Sequence, residues 1–269
     1  MALIDTHTHL ESFVRRGQLA EILARAETAG VATLITIGTS TDDWALYRDL
    51  AAAHPAQIAF TAGLHPCSVD AGWAAQAAQL EAYWSGTSGD PRPVALGECG
   101  LDRFHLPKDD AAAAARIFAW QQEAFAAQLA LAKRLAAPVV VHSRGAFAEC
   151  VALIDASGVD WTRVVFHCFT EGAAEIGELN RRGGVGSFTG ILTYKTAENI
   201  RAAAKAQGLS RFMLETDAPY LTPMPHRGKP NEVAYVRHTA EFAAREVFGV
   251  GFEELAQTST ENARRFFGL

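Results

Sequence analysis

Several features that mark common protein classes are absent from this sequence. The formal net charge is −6, so the chain lacks the positive excess with which a protein holds a nucleic-acid duplex mainly by neutralising phosphates. No apolar run approaches the roughly 18 uninterrupted residues of a membrane span. The four cysteines show no Cys-x-x-Cys spacing, which argues against a structural zinc module. These absences argue against a duplex-binding protein that relies on positive charge, a membrane protein and a structural zinc module. The search for function therefore turns to individual side chains.

The cysteines and the first residues bear on the compartment. Residues Met1 to Asp5 contain neither the basic region nor the apolar stretch of a signal peptide, so we expect a cytoplasmic protein with reduced thiols. Cys99 and Cys168 each follow a candidate ligand, and adjacent side chains of a strand point to opposite faces. We therefore expect both to be core thiols, whereas Cys67 lies beside a functional loop and is more open to another role.

The chain has enough hydrophobic residues to form a large core. It has 269 residues, of which 49% are hydrophobic and 20% charged, so extensive disorder is excluded. No linker or low-complexity tract interrupts it. We expect a single domain over residues 1–269.

Eight short apolar runs alternate with segments of helical spacing. The runs are Leu3 to Thr6, Thr33 to Ile37, Ile58 to Gly63, Val94 to Gly97, Val139 to Val141, Val164 to Phe166, Gly184 to Phe188 and Phe212 to Leu214. Helical stripes begin at Leu19 and Trp44, a long one covers Ala111 to Leu135, and closing helices are predicted over Asn231 to Phe248, Phe252 to Gln257 and Thr260 to Phe267. Eight βα units in a chain of this length predict an α/β protein, a single (β/α)8 TIM barrel.

An open doubly wound sheet is the alternative fold. It typically carries a glycine-rich phosphate loop after its first strand. Here the first strand leads into Asp5-Thr6-His7-Thr8-His9, which contains no glycine. The barrel is therefore the favoured prediction.

Six potential metal ligands sit at the ends of these apolar runs. They are His7, His9, Glu98, His142, His167 and Asp217. Imidazole and carboxylate groups bind divalent zinc, manganese and related ions. Because the carboxyl ends of parallel barrel strands meet on one rim, we expect all six to converge there.

Each ligand also has a less specific interpretation. His7 and His9 share one face of a strand and can chelate one ion, but histidines also serve as hydrogen-bonded core residues. Glu98 can bridge two ions, or it can pair with Arg103 or Arg144. Asp217 and Glu215 share a face, and we expect Asp217 to bind the ion while Glu215 supports a histidine.

Seven motifs in order resemble the TatD-type metal-dependent deoxyribonucleases, a branch of the amidohydrolase-like barrel hydrolases, from Ile4 to the C-terminus. The motifs are Asp5-Thr6-His7-Thr8-His9, Gly63-Leu64-His65-Pro66, Gly97-Glu98-Cys99-Gly100-Leu101-Asp102, His142-Ser143-Arg144, His167-Cys168-Phe169-Thr170, Glu215-Thr216-Asp217-Ala218-Pro219-Tyr220-Leu221 and Arg227-Gly228-Lys229-Pro230-Asn231. The resemblance implies a (β/α)8 barrel that hydrolyses phosphodiester bonds of DNA, often from the 3′ end and here preferably on single strands.

The resemblance also implies roles for individual residues. It assigns one divalent cation to His7, His9 and Asp217, another to His142 and His167, and the bridging position to Glu98. Nitrogen and oxygen ligands suit zinc, manganese and magnesium alike, so the residues do not select one of them. His65 is expected near the scissile phosphate, with the plainer alternative that it is a turn residue before Pro66.

Catalytic and substrate roles follow from this assignment. Asp217 is expected to orient or deprotonate the attacking water, and His65 to stabilise the developing charge. The candidate phosphate-binding cations are Arg144, Lys195, Arg227 and Lys229, with the alternative that they are ordinary surface charges. The candidate base-stacking aromatics are Phe104, Phe169 and Tyr220, each of which could equally be a packing residue.

One stretch departs from the family pattern. Residues Arg103 to Lys108 replace the usual aromatic pair and turn, so substrate choice is open there, and His105 is expected to be an ordinary loop histidine. A second hypothesis keeps the metals and changes the bond to an ester or amide, such as an aminoacyl-tRNA linkage or a small cyclic amide. A non-catalytic barrel is a third. We expect no membrane contact, and a monomer or weak oligomer.

Overall fold

The computed structural model describes residues 2–86 and 89–269. Within these residues the strands form one sheet whose order follows the chain, and with the intervening helices they make a (β/α)8 fold, as predicted. The strands are β1 (Leu3–Thr8), β2 (Val31–Thr36), β3 (Ile58–Ala62), β4 (Ala95–Asp102), β5 (Val139–Arg144), β6 (Val164–Phe166), β7 (Val185–Phe188) and β8 (Met213–Leu214).

The helices lie mainly between and after the strands. They are α1 (Glu11–Arg15), α2 (Leu19–Thr28), α3 (Thr41–Ala53), α4 (Trp73–Ala77), α5 (Leu80–Ser85), α6 (Ala111–Leu135), α7 (Phe147–Ser157), α8 (Ala173–Arg182), α9 (Glu198–Gln207), α10 (Val236–Phe242) and α11 (Phe252–Phe267). Short 3₁₀ helices span Pro66–Ser68, Trp161–Arg163, Gly190–Thr193, Leu209–Arg211 and Val233–Tyr235. In the part of the chain described, none of the helices combines the length and the apolar character needed to cross a membrane.

Strand β4 corrects one detail of the sequence prediction. The apolar run was expected to end at Gly97, but the strand continues to Asp102, with Gly100 paired to His142 in β5. Apolar patterning stops where polar side chains begin, although the backbone ladder continues. Glu98 and His142 therefore project from within their strands, and do not follow them.

The C-terminal helices also differ in their limits. The predicted breaks within residues 252–267 are absent, and α11 is one continuous helix. The hydroxyl of Ser259 donates to the carbonyl of Ala256, so this polar residue is accommodated inside the helix. The segment predicted as one helix over residues 231–248 consists of a 3₁₀ turn, α10 and a π-helical stretch, Ala243–Phe248.

Contacts divide the chain into two compact units. The first unit comprises Met1–Thr36, His54–Ala59 and His167–Leu269. The second comprises Ile37–Ala53 and Phe60–Phe166. The prediction of one domain over residues 1–269 stays a prediction.

In the first unit, β1 lies between β2 and the chain that follows β8. Leu3 pairs with Val31 in the parallel ladder of β1 and β2, and Thr8 forms a bridge with Ala218. All six residues of β1 are buried, including the polar ones. A buried polar strand end requires partners for its side chains, and this places the candidate ligands of this unit in a dense polar network.

In the second unit, β4 and β5 approach unusually closely at the level of His142. Gly100 has φ +141°, and a Cβ atom there would lie 2.0 Å from the carbonyl oxygen of His142. Only glycine fits this contact and this backbone conformation. This close approach of the two strands determines where His142 lies, along the strand direction, relative to Glu98.

Candidate metal centre

His7, His9 and Asp217 form the first ligand group, in the first unit. Asp217 Oδ1 lies 3.7 Å from His7 Nε2 and 3.3 Å from His9 Nε2. The backbone N–H of Asp217 donates to the carbonyl of His7 at 2.8 Å, which fixes the carboxylate beside the two rings. Burial alone would raise the pKa of Asp217, but the hydrogen bond from His9 and the charges of His7 and His9 hold it below its usual value. Asp217 is therefore a carboxylate at neutral pH.

His167 joins this group through His7 and Glu215. Its ring stacks on that of His7 with centroids 4.0 Å apart, and its Nδ1 lies 3.5 Å from Glu215 Oε1. Glu215 also accepts hydrogen bonds from the backbone N–H of Cys168 at 2.6 Å and from the hydroxyl of Ser187. One donor atom from each of His7, His167 and Glu215 lies within 4.8 Å of the others. Glu215 thus has the contacts expected of a residue that supports His167.

Asp5 is a buried member of this network that sequence reasoning did not single out. Its Oδ1 accepts hydrogen bonds from the backbone N–H groups of Thr216 at 2.9 Å and of His7 at 3.2 Å, and its Oδ2 accepts one from the Thr216 hydroxyl. Burial outweighs these bonds and raises the pKa of Asp5 to about 8. Because Asp5 binds the chain next to both His7 and Asp217, it aligns the two. Its position two residues before His7, on the same face of β1, was the available signal.

The second ligand group lies in the second unit and is centred on Glu98. Glu98 Oε1 lies 2.9 Å from His142 Nδ1 and 3.4 Å from His65 Nε2, and the residue is only 2% exposed. One donor atom from each of these three residues lies within 4.8 Å of the others. The arginines considered as partners of Glu98 have other contacts, since Arg103 donates to Glu149 at 2.6 Å and Arg144 lies over the ring of Phe104.

His65 has the turn role that the sequence allowed, and its other ring nitrogen lies on the ligand side. Its Nδ1 accepts a hydrogen bond of 3.0 Å from the backbone N–H of Cys67, so it caps the short helix Pro66–Ser68. A neutral imidazole that accepts at Nδ1 carries its proton on Nε2. That Nε2 is the atom beside Glu98, and His65 therefore presents a hydrogen-bond donor on the ligand side.

Asp102 is the second residue that sequence reasoning missed. Its Oδ2 lies 3.0 Å from His142 Nε2, while its Oδ1 accepts a hydrogen bond of 2.9 Å from the backbone of His105. Burial would raise the pKa of Asp102, but hydrogen bonds from His142 and His105 hold it well below its usual range. The carboxylate fixes the ring of His142 with Nδ1 toward Glu98. The signal available in the sequence was the spacing of Glu98, Gly100 and Asp102, which places them on one face of β4.

Cations and aromatics were predicted to contact the substrate, and the structure separates them by exposure. Phe104 and Tyr220 are 52% and 62% exposed, and the guanidinium of Arg144 lies 3.9 Å from the ring centre of Phe104. Lys229 is exposed. Phe169 is only 4% exposed and packs against Phe188, so of its two possible roles the structure supports packing and not stacking on bases.

The donor sets fit divalent cations. In each group, imidazole nitrogens and carboxylate oxygens lie close together at buried or partly buried positions. This combination suits zinc, manganese and related ions, and the scarcity of thiolate distinguishes it from a structural zinc site. Each group therefore offers the donor types that a divalent cation requires.

Comparison with known proteins identifies the relatives of this chain. Residues 4–268 match the family described as TatD related DNase. A metal-dependent hydrolase named YcfH, from Escherichia coli strain K12, is 35% identical, with 100% of this chain and 97% of the relative covered. A protein named 3′-5′ ssDNA/RNA exonuclease TatD, from Dickeya dadantii, is 33% identical, with 98% of this chain and 97% of the relative covered.

A solved structure agrees with the same relationship. The crystal structure of YjjV, a TatD homologue from Escherichia coli K12, superposes with a TM-score of 0.86 at 26% identity and covers 99% of this chain and 98% of its own. The fold predicted from the order of strands is thus shared along nearly the whole chain.

Proposed function

Because the chain belongs to the TatD-related DNase family of metal-dependent hydrolases, we propose that it cleaves phosphodiester bonds of single-stranded DNA from the 3′ end. The observation that carries this proposal is the convergence of His142 and the Nε2–H of His65 on the buried Glu98, which combines metal ligands with a donor for a phosphate oxygen. Relatives named as 3′-5′ exonucleases on single-stranded DNA and RNA support the substrate class.

We propose that the protein would bind two divalent cations. One is assigned to His7, His9 and Asp217, and the other to His142 and His167, with Glu98 as the bridging ligand. The sequence motifs carry the bridging assignment and the pairing of His142 with His167. The contacts of Asp217 with His7 and His9, and of Glu98 with His142, support the other ligands. Bound divalent cations would polarise a phosphate oxygen and lower the pKa of water.

The protein side chains then have distinct tasks. Asp217, a carboxylate at neutral pH, accepts a hydrogen bond from the attacking water and takes up its proton. His65 donates from Nε2 to a phosphate oxygen as negative charge develops there. Asp102 and Glu215 hold the rings of His142 and His167 in place.

Substrate binding is assigned to exposed cations and aromatics. Arg144 is proposed to neutralise a phosphate, and Phe104, whose ring it covers, to stack on a base. In the first unit, Lys229 is proposed to neutralise a phosphate and Tyr220 to stack on a base. Stacking on unpaired bases requires a single strand, which is why the proposal names one.

The test is a metal-supplemented assay on end-labelled single- and double-stranded oligonucleotides. We expect magnesium, manganese or zinc to support progressive shortening of the single strand from its 3′ end. A parallel assay offers an aminoacyl ester, because the alternative of ester or amide hydrolysis shares the metal chemistry. Hydrolysis of that ester with intact DNA would overturn the assignment to phosphodiesters.

Two further properties belong to the proposal. We assign the protein to the cytoplasm, supported by four cysteines that carry thiols and not disulfides. We also propose that residues 1–269 work as one domain and that the protein is a monomer or weak oligomer. Size-exclusion chromatography with light scattering checks the last point.

A further inference from the structure

A third group of potential ligands lies in the second unit and adjoins the second ligand group through Asp102. It consists of Cys67, Asp102 and His105. Cys67 Sγ lies 3.5 Å from His105 Nδ1 and 3.7 Å from Asp102 Oδ2, and the last two atoms are 2.8 Å apart. These residues come from the turn after β3, the end of β4 and the stretch that departs from the family pattern.

The geometry does not suit a nucleophilic triad. In such a triad the histidine binds the nucleophile with one ring nitrogen and the carboxylate with the other. Here the thiol and the carboxylate both approach Nδ1 of His105. The sulfur, nitrogen and oxygen atoms of the three residues face one another. They therefore form a chelating group, because a single ion placed among them contacts all three.

The spacing matches a tetrahedral ion. With metal bonds of about 2.0–2.3 Å to sulfur, nitrogen and oxygen, the sulfur atom of such a site lies about 3.6 Å from each of the other donors. The two sulfur distances here, 3.5 and 3.7 Å, agree with that value. The distance of 2.8 Å between nitrogen and oxygen must widen by about 0.6 Å, and the exposed ring of His105 can turn by this amount.

We propose that Cys67, Asp102 and His105 form a separate site for a thiophilic divalent cation such as zinc, with its fourth position open to solvent. Asp102 is fully buried, whereas Cys67 and His105 are exposed, so the ion enters from the solvent side and rests on an anchored carboxylate. Thiolate, imidazole and carboxylate together favour zinc and cobalt over magnesium. The site also ties the divergent loop to β4, and Asp102 connects it to His142.

The test is titration of the metal-depleted full-length protein with Co²⁺ and, separately, Zn²⁺. Wild-type protein should show a sulfur-to-cobalt charge-transfer band in the near ultraviolet and should bind one more equivalent of metal than the variants Cys67→Ser and His105→Asn. Cys150→Ala is the matched control, because it removes a different thiol from the same unit and should keep both the band and the equivalent.

A second control separates this site from the proposed catalytic ions. His9→Ala alters the first ligand group and should reduce metal content while the charge-transfer band persists. Wild-type protein without the band, or with the same number of equivalents as Cys67→Ser, would overturn the proposal. So would a band that survives in His105→Asn, since Cys67 would then bind metal without the chelating group. The readouts are binding and absorbance, so failure of the DNA assay leaves them interpretable.

Discussion

Replacement of Glu98 by glutamine tests the centre of the proposed metal site most directly. The substitution keeps the shape of the side chain and removes one negative charge from a position that is 2% exposed. Two unit charges about 4 Å apart interact with about 4 kcal/mol at an effective dielectric constant near 20. Since about 1.4 kcal/mol corresponds to a factor of ten, Glu98→Gln should weaken cation binding by roughly 1,000-fold or more.

The weaker cation binding should reduce the stabilisation that the metal gives to the folded protein. A cation that binds only the folded protein stabilises it in proportion to the logarithm of its concentration over its Kd, so a 1,000-fold weaker site forfeits about 4 kcal/mol at saturation. The metal-depleted variant is compared with metal-depleted wild type, because Glu98 also contacts His142 and His65 and the substitution changes those contacts without metal.

Urea denaturation with and without Mn²⁺, together with elemental analysis, measures both effects. Glu123→Gln is the matched control, because Glu123 is an exposed carboxylate in α6 of the same unit and its variant should behave as wild type. Wild-type metal content and an unchanged Mn²⁺-induced stabilisation in Glu98→Gln would refute the assignment. Nuclease activity of the same samples should fall with metal content.

Three further predictions concern other parts of the network. His65→Ala should lower turnover by roughly 100-fold with unchanged metal content, because it removes one donor to the developing charge; loss of metal would place His65 among the ligands instead. The pKa of Asp5 is about 8 when folded and 3.8 as its ordinary value, so the folded protein keeps a proton that the unfolded chain releases. The stability that this proton provides is present below about pH 4 and is lost as the pH rises through about 8. Over this range, urea titrations should show the free energy of unfolding of metal-depleted wild type falling relative to that of Asp5→Asn. A difference between the two proteins that stays constant with pH would contradict this expectation. Cys67 is exposed as a residue, but partial desolvation of its thiol and the neighbouring Asp102 carboxylate raise its pKa to about 12. Alkylation of metal-depleted protein by iodoacetamide, followed by mass spectrometry, should therefore be slow at neutral pH and should accelerate with pH. A rate that levels off near the ordinary thiol pKa would be inconsistent with this environment.

The first ligand group shows how far a sequence alone can lead. The period of two along a strand places His7 and His9 on one face, and the motif order suggests Asp217 as their partner. The distance between Asp217 and the rings depends on the pairing of Thr8 with Ala218, which no local pattern reveals. The role of Glu215 was predicted because it shares a face with Asp217, yet its bonds to Ser187 and to the backbone of Cys168 depend on packing.

The divergent loop shows the opposite case. By sequence, Arg103 and Arg144 were possible partners of Glu98, and His105 was an ordinary loop residue. In the structure Arg103 binds Glu149, Arg144 covers Phe104, and His105 meets Asp102. The partner that a long polar side chain contacts depends on which groups lie near it in the folded protein. Those groups can be far away along the chain, so local sequence does not reveal them.

The sequence by itself determined the eight βα units and the identity of the chemical groups, because apolar periodicity and residue type are local properties. Only the tertiary structure decided that β4 continues through Glu98 to Asp102, that Asp5 and Asp102 hold the ligands, and that Cys67 meets His105. The physical reason is that a hydrogen bond or a chelate requires atoms within about 3–4 Å, and strand register and loop packing alone bring such atoms together.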